Sequence, residues 1–337
     1  MSLRGTTWAL LGIAAAAQEP NVGEDPELLV ELRACRHRIV FETRRDGNWE
    51  LFLMNADGSH PVNLTRTPEV DELYPKASPD GTRICFVADE GPPSARSRNL
   101  YVMKADGSGR VKIAENAREP CWSADGRFIA YLKGEFEKFT YSDFATKGIF
   151  IHDLATGTVR AHPHNARIEH LYTLNWSPDG RWFVATVHGG MGFKHGILAL
   201  EADGPGVYDL KLQGCRPDLS PDGKRIIWGH GDFAVGLADL DLSSIPPRAT
   251  YVRNIVETRD PIEAYHADWS PDGKYVSFSR GPKFKGKNLK GLLPEFPGVE
   301  APGWDTCVAD VSARNRWVAL TRDGQSNKEA DWVPGRD

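Results

Sequence analysis

The tetrapeptide Ser-Pro-Asp-Gly recurs along the chain at near-constant spacing, and no other feature limits the fold as tightly. It occupies residues 78–81, 177–180, 220–223 and 270–273, and Ser123-Ala124-Asp125-Gly126 fills the one gap. The steps from Gly81 to Gly126, Gly180, Gly223 and Gly273 are 45, 54, 43 and 50 residues. A period of that length, with strand patterns and no helical ones between the copies, is the signature of a β-propeller. Proline presets φ, aspartate bonds its own backbone and glycine accepts φ > 0, so each copy is a tight turn.

Each repeat reads as four short strands. In the repeat led by Ser78, Ile84-Cys85-Phe86-Val87 is a continuous apolar run, as expected for a strand covered on both faces. Leu100-Tyr101-Val102-Met103 is the next strand, Ala105-Asp106-Gly107 a hairpin turn, and Val111-Lys112-Ile113 the outer strand. Phe128–Tyr131, Trp182–Ala185, Ile226–Trp228 and Tyr275–Phe278 fill the second-strand slot of the other repeats. Trp122, Trp176 and Trp269, each ahead of its turn, are expected between adjacent blades.

The two ends complete a ring. Ile39–Phe41, Trp49–Met54 and Val62–Leu64 supply three strands with no turn motif ahead of them. Ala330-Asp331-Trp332-Val333-Pro334-Gly335 closely repeats Ala267–Gly273. The C-terminal strand is therefore expected to join the N-terminal three in one blade, giving an all-β, six-bladed propeller over residues 38–337. On these motifs the chain resembles the TolB-type six-bladed propellers built from PD40 (WD40-like) repeats. The resemblance implies the fold, while function has to be argued from a site.

Residues 1–17 differ from the rest. Arg4 precedes an apolar stretch from Trp8 to Ala17 that ends in small residues, which reads as a secretory signal peptide and a periplasmic or secreted address. The stretch is too short to span a bilayer. Residues 18–37 read as a linker whose Asp25-Pro26-Glu27 starts a short capped helix. The net charge of −5, with both signs interspersed, argues against nucleic acid as the partner. The five cysteines lack metal or redox spacing and read as buried free thiols.

Aligning the repeats places Tyr74, Glu119, Thr173, Arg216, His266 and Glu329 just before the six inner strands, as a polar ring at one mouth of the central channel. His188, His195, His230 and His266 fall on the same face, where neutral imidazoles of neighbouring blades could hold a divalent metal. Oligogalacturonate lyases are similar in using such repeats with a histidine-rich metal site. That resemblance implies a metal-dependent lyase or hydrolase acting on acidic oligosaccharides. Neither a Gly-x-Ser-x-Gly elbow nor a Walker-type glycine loop occurs.

Two insertions between second and third strands stand out. Gly134–Lys147 carries Phe136, Phe139, Tyr141 and Phe144; Gly281–Gly303 carries Lys283, Lys285, Lys287 and Lys290 beside Phe284, Leu292, Leu293 and Phe296. Long loops on a rigid scaffold carry function, and aromatics anchor protein interfaces. The leading expectation is an exported, non-catalytic propeller, with no cofactor. It would bind a protein partner, or a membrane protein complex, through this face. The metal-dependent enzyme is the competing class, and a lectin-like binder of neutral sugars the third.

Overall fold

The computed structural model describes residues 23–283 and 293–335. Its strands form six four-stranded antiparallel sheets arranged as propeller blades. In blade 1 the C-terminal strand Ser326–Val333 pairs with Arg38–Arg45, followed by Asn48–Asn55 and Val62–Asn63. Ile39 lies opposite Trp332 and Val40 opposite Asp331, which closes the ring as the repeat of Ala267–Gly273 predicts. The inner strands of blades 2 to 6 are Asp71–Ala77, Ala117–Trp122, Leu171–Trp176, Cys215–Leu219 and Ile262–Trp269.

The motif works as a self-contained turn. In blade 2, Ser78 Oγ donates to Asp80 Oδ1 at 2.5 Å, Gly81 N–H donates to the Ser78 carbonyl and Arg83 N–H to Ser78 Oγ. Gly81 has φ +66°, and a Cβ there would lie 2.3 Å from the Pro334 carbonyl oxygen. Only glycine lets that turn sit against the closing strand.

Apolar faces of adjacent blades make the core. Trp122, Trp269 and Trp332 are buried, whereas Trp176 keeps part of its ring in solvent. The Arg83 guanidinium lies 5.0 Å from the Trp122 ring centre, and Arg225 lies 4.5 Å from that of Trp269. Each arginine also donates to the turn carbonyl of the next blade, Gly126 or Gly273, so it ties two blades together. A helix over Pro26–Leu32 is capped by Asp25, whose side chain accepts from Glu27 N–H. It buries Leu28 and Leu32, one helical turn apart, against Ile39, Val318 and Trp332.

All five cysteines are free thiols; Cys85, Cys121 and Cys307 are buried and Cys35 and Cys215 half-buried. Among the described residues no helix is long and apolar enough to cross a membrane. The signal-like stretch 1–17, with Lys285, Lys287, Lys290, Phe284 and Leu292 of the lysine-rich insertion, lies outside the described residues.

Candidate functional site

The polar ring sits within the inner strands, not ahead of them, and all of it but half-buried Thr173 is buried. In every blade the ladder slips at this position: between Leu73 and Lys76, Arg118 and Cys121, Tyr172 and Asn175, Cys215 and Asp218, Tyr265 and Asp268, and opposite Glu329 in blade 1. The bulged residue is left-handed each time, with φ of 58° at Tyr74, 51° at Glu119 and Thr173, 56° at Arg216, 55° at His266 and 46° at Glu329. A non-glycine residue in that region costs roughly 1–2 kcal/mol, and such backbone persists where its surroundings over-determine it. Here neighbouring blades do so. Glu42 Oε2 accepts from Tyr74 N–H at 3.0 Å, Glu119 Oε2 from Thr173 N–H at 2.8 Å and Thr186 Oγ1 from Arg216 N–H at 2.9 Å. Proline follows the bulged residue at 75, 120 and 217, where a missing N–H leaves no ladder bond unmade.

The bulges aim six side chains at the axis, and Arg216 joins them. Its guanidinium donates to Tyr74 Oη at 3.0 Å, Asp143 Oδ2 at 2.7 Å and the Glu295 carbonyl at 3.1 Å, and lies 3.7 Å from Glu329 Oε1. His266 Nε2 is 3.0 Å from Glu329 Oε1 and 2.8 Å from the Glu295 carbonyl oxygen. Burial opposes ionisation of Glu329, but His266 and Arg216 outweigh it and hold the carboxyl well below the usual range.

Asp143 and Glu295 belong to the two insertions, so the insertions cover this mouth of the channel. Buried Arg118 donates to the Thr140 and Ser142 carbonyls of the first. Buried Lys328 donates to the Pro294, Phe296 and Val299 carbonyls of the second, at 2.8, 2.8 and 2.9 Å. Three acceptors match the three protons of an ammonium. Neither Arg118, Lys328 nor Asp143 stood out in the sequence, and the polar Ser326-Asn327-Lys328-Glu329 run gives no sign that Lys328 is buried.

The four aromatics of the first insertion divide. Phe139 stacks edge-on against Tyr141 at 4.8 Å beneath Arg96 and Arg98, and Phe144 lies 4.5 Å from the His188 ring; all three are half-buried. Phe136, two residues past the strand Phe128–Gly134, is 54% exposed, with its carbonyl accepting from Asn116 Nδ2. In the second insertion Leu293 is exposed and Phe296 half-buried, and Lys283 lies 5.3 Å over the Phe233 ring.

The histidines disperse into separate environments. His188 and His195 pair across their hairpin with ring centres 5.6 Å apart, and His195 Nε2 is 3.3 Å from Tyr172 Oη. His230 bonds Asn254 at 2.8 Å against Trp228, and His266 is engaged in the buried ring. Among the described residues no three His, Cys, Asp or Glu side chains are grouped to hold a metal ion.

A second ring, which the alignment of repeats did not single out, lies two residues further along the inner strands. Lys76, Cys121, Asn175, Asp218, Asp268 and Asp331 line a 340 Å³ cavity that opens between the Ser-Pro-Asp-Gly turns. Lys76 is ion-paired with Asp268. Asp218 and Asp331 have no cation within ion-pair distance among the described residues. Each instead accepts a backbone N–H of the neighbouring blade, from Trp269 at 2.8 Å and Ala77 at 2.6 Å. Burial pushes the Asp218 carboxyl up to about 6 and raises Asp268 and Asp331 as well, against the pull of Lys76.

No family model matches the chain. A stretch of 88 residues is 33% identical to a TolB homolog of Chlorobaculum tepidum, spanning 25% of this chain and 19% of that relative. Among solved structures, TolB from Acinetobacter baumannii superposes with a TM-score of 0.59 at 18% identity, over 88% of this chain and 67% of its own. A putative TolB from Agrobacterium tumefaciens gives 0.56 at 18% identity, over 88% and 98%. A chain of a nidogen/laminin complex gives 0.59 at only 8% identity, over 89% and 99%, so the architecture outlasts the sequence. The chain is a six-bladed β-propeller, similar in fold to these TolB structures and closed by its own C-terminal strand.

Proposed function

We propose that this propeller is an exported, non-catalytic module that docks a protein partner, in a complex at a membrane surface, through the insertion-covered face. The observation that carries the reading is Phe136, 54% exposed near the start of an insertion that Asn116, Arg118 and Arg216 hold in place. An aromatic anchor on a pre-ordered loop binds with little ordering entropy to lose. The similarity to a TolB homolog and the signal-like residues 1–17 support the envelope address.

The test uses a photo-cross-linking residue at Phe136, expressed in the native host, with the same residue at Tyr251 as control. Tyr251 is 79% exposed on the outer strand of blade 5. A discrete adduct from position 136 and none from 251 is expected, and Phe136→Ala should abolish co-purification of that partner without moving the melting temperature. Equal labelling from both positions, or an unchanged complex in the alanine variant, overturns the reading.

A further inference from the structure

The opposite mouth of the channel has the makings of a separate site. Three carboxylates, Asp218, Asp268 and Asp331, converge there on one lysine, Lys76, so the floor is short of positive charge. Asp268 is buried, and Asp218 and Asp331 are half-buried with surface left towards the cavity. The walls are Trp122, Trp176, Trp269 and Trp332, one from each of four blades. Proline follows the turn serine in four blades, at 79, 178, 221 and 271, and these prolines stiffen the rim. A 340 Å³ space with an anionic floor and aromatic walls holds one side chain and its adjoining backbone, not a folded surface.

We propose that this turn-side mouth binds a basic side chain, a lysine or arginine of an extended peptide inserted end-on, whose cation meets Asp218 and Asp331 while its stem lies along the tryptophans. The cation supplies the missing counter-charge for two partly desolvated carboxylates, and the aliphatic stem suits aromatic walls. Asp331 Oδ2 and Asp218 Oδ2 already hold backbone N–H groups. Asparagine at either position would keep that acceptor and remove only the charge, so the variants test binding apart from blade contact. This site does not rest on the reading of the Phe136 face.

The experiment titrates the full chain with a capped pentapeptide carrying one arginine among glycines, followed by tryptophan fluorescence and calorimetry. The matched peptide carries citrulline, the neutral isostere. Saturable binding at least about tenfold tighter for arginine is expected, with about tenfold loss in Asp218→Asn and in Asp331→Asn and none in Asp106→Asn, an exposed hairpin carboxylate elsewhere. Equal affinity for the arginine and citrulline peptides overturns the proposal, and that comparison stands on the wild-type chain even if a variant folds poorly. Unchanged binding in both folded asparagine variants also overturns it. Calcium chloride alone, giving the same saturable change and losing it in the same variants, would make the mouth a metal site instead. Spermidine binding about tenfold tighter than the arginine peptide would make it a free-amine site.

Discussion

A carboxylate that loses water without gaining a full set of partners holds its proton longer, and Glu72 and Glu263 are two such groups that contribute to the pH response of this fold. Glu72 is fully buried with Oε2 unpartnered, and burial pushes its carboxyl up to about 7 despite Thr67 and Arg110. Glu263 is buried with its own Oε2 unpartnered, and burial, with Glu295 and Asp232 nearby, pushes it up to about 7 as well. Both values lie above the 4.5 of a free glutamate, so the folded state binds the proton more tightly than the unfolded chain. The stability this confers is complete below pH 4.5 and is lost as pH rises through 7. Melting temperature should therefore fall between pH 5 and 8, and Glu72→Gln or Glu263→Gln should raise it by roughly 3 °C at pH 8 but leave it unchanged at pH 4.5. A flat profile, or an equal gain at both pH values, contradicts this. The site residues were legible only in part at this scale. Tyr74, Glu119, Arg216, His266 and Glu329 follow from aligning the repeats, because they sit at one fixed offset from each turn. Lys76, Asp218, Asp268 and Asp331 sit at a fixed offset too, but as single letters beside a turn that already explains its own aspartate. The burial of the first ring could not be read at all, since it depends on loops from blades 3 and 6 folding over blade 5.

At the scale of elements, the closing strand decides whether the ring exists. Trp332 is 3% exposed and stacks on Tyr275 at 6.3 Å. Trp332→Ala should cost roughly 3–5 kcal/mol in chemical denaturation. Deleting residues 326–337 removes the partner of Arg38–Arg45 and should abolish cooperative unfolding; a truncated chain melting within a few degrees of the intact one would sink the closure argument. Lys328, on the same strand, predicts a local effect. Lys328→Met leaves the Pro294, Phe296 and Val299 carbonyls without their donor, so amide exchange over 293–300 should accelerate while that of Tyr275–Phe278 stays slow. Strands, turns and ring closure could be read from the sequence because each repeats with the same chemistry in blade after blade. The bulges could not, because a left-handed tyrosine, glutamate, threonine, arginine or histidine carries no compositional mark; glycine would have flagged them. Trp176 shows the limit of reading by analogy, since it shares the motif of Trp122 and Trp269 yet stays partly exposed.

Across the whole molecule, the channel has one end filled and one end open, and the filled end explains how six weakly similar blades act as one body. Arg216 of blade 5 bonds Tyr74 of blade 2, Asp143 from the blade 3 insertion and Glu295 from the blade 6 insertion. It also lies beside Glu329 of blade 1 and 5.5 Å from the Tyr172 ring of blade 4. One side chain thus touches all six blades or their insertions. If the covered mouth serves structure, elemental analysis of protein from the native host should find no stoichiometric transition metal. Manganese or zinc near one equivalent would move the functional reading to metal-assisted chemistry on acidic oligosaccharides. Replacing Arg216 tests the mechanical role directly. Arg216→Leu strands Asp143 and Glu329 in a dry site, and breaking a buried pair from one side costs roughly 3–5 kcal/mol. If the arginine ties the ring together, Asp143→Leu in the Arg216→Leu background should add far less than it does alone, because groups in one network are not additive. The same pair of substitutions should leave arginine-peptide binding at the turn-side mouth within about twofold of wild type, since no carboxylate there is altered. Additive losses in chemical denaturation would reduce Arg216 to one local ion pair, and the unity of the ring would then rest on the tryptophans and turn arginines between neighbouring blades.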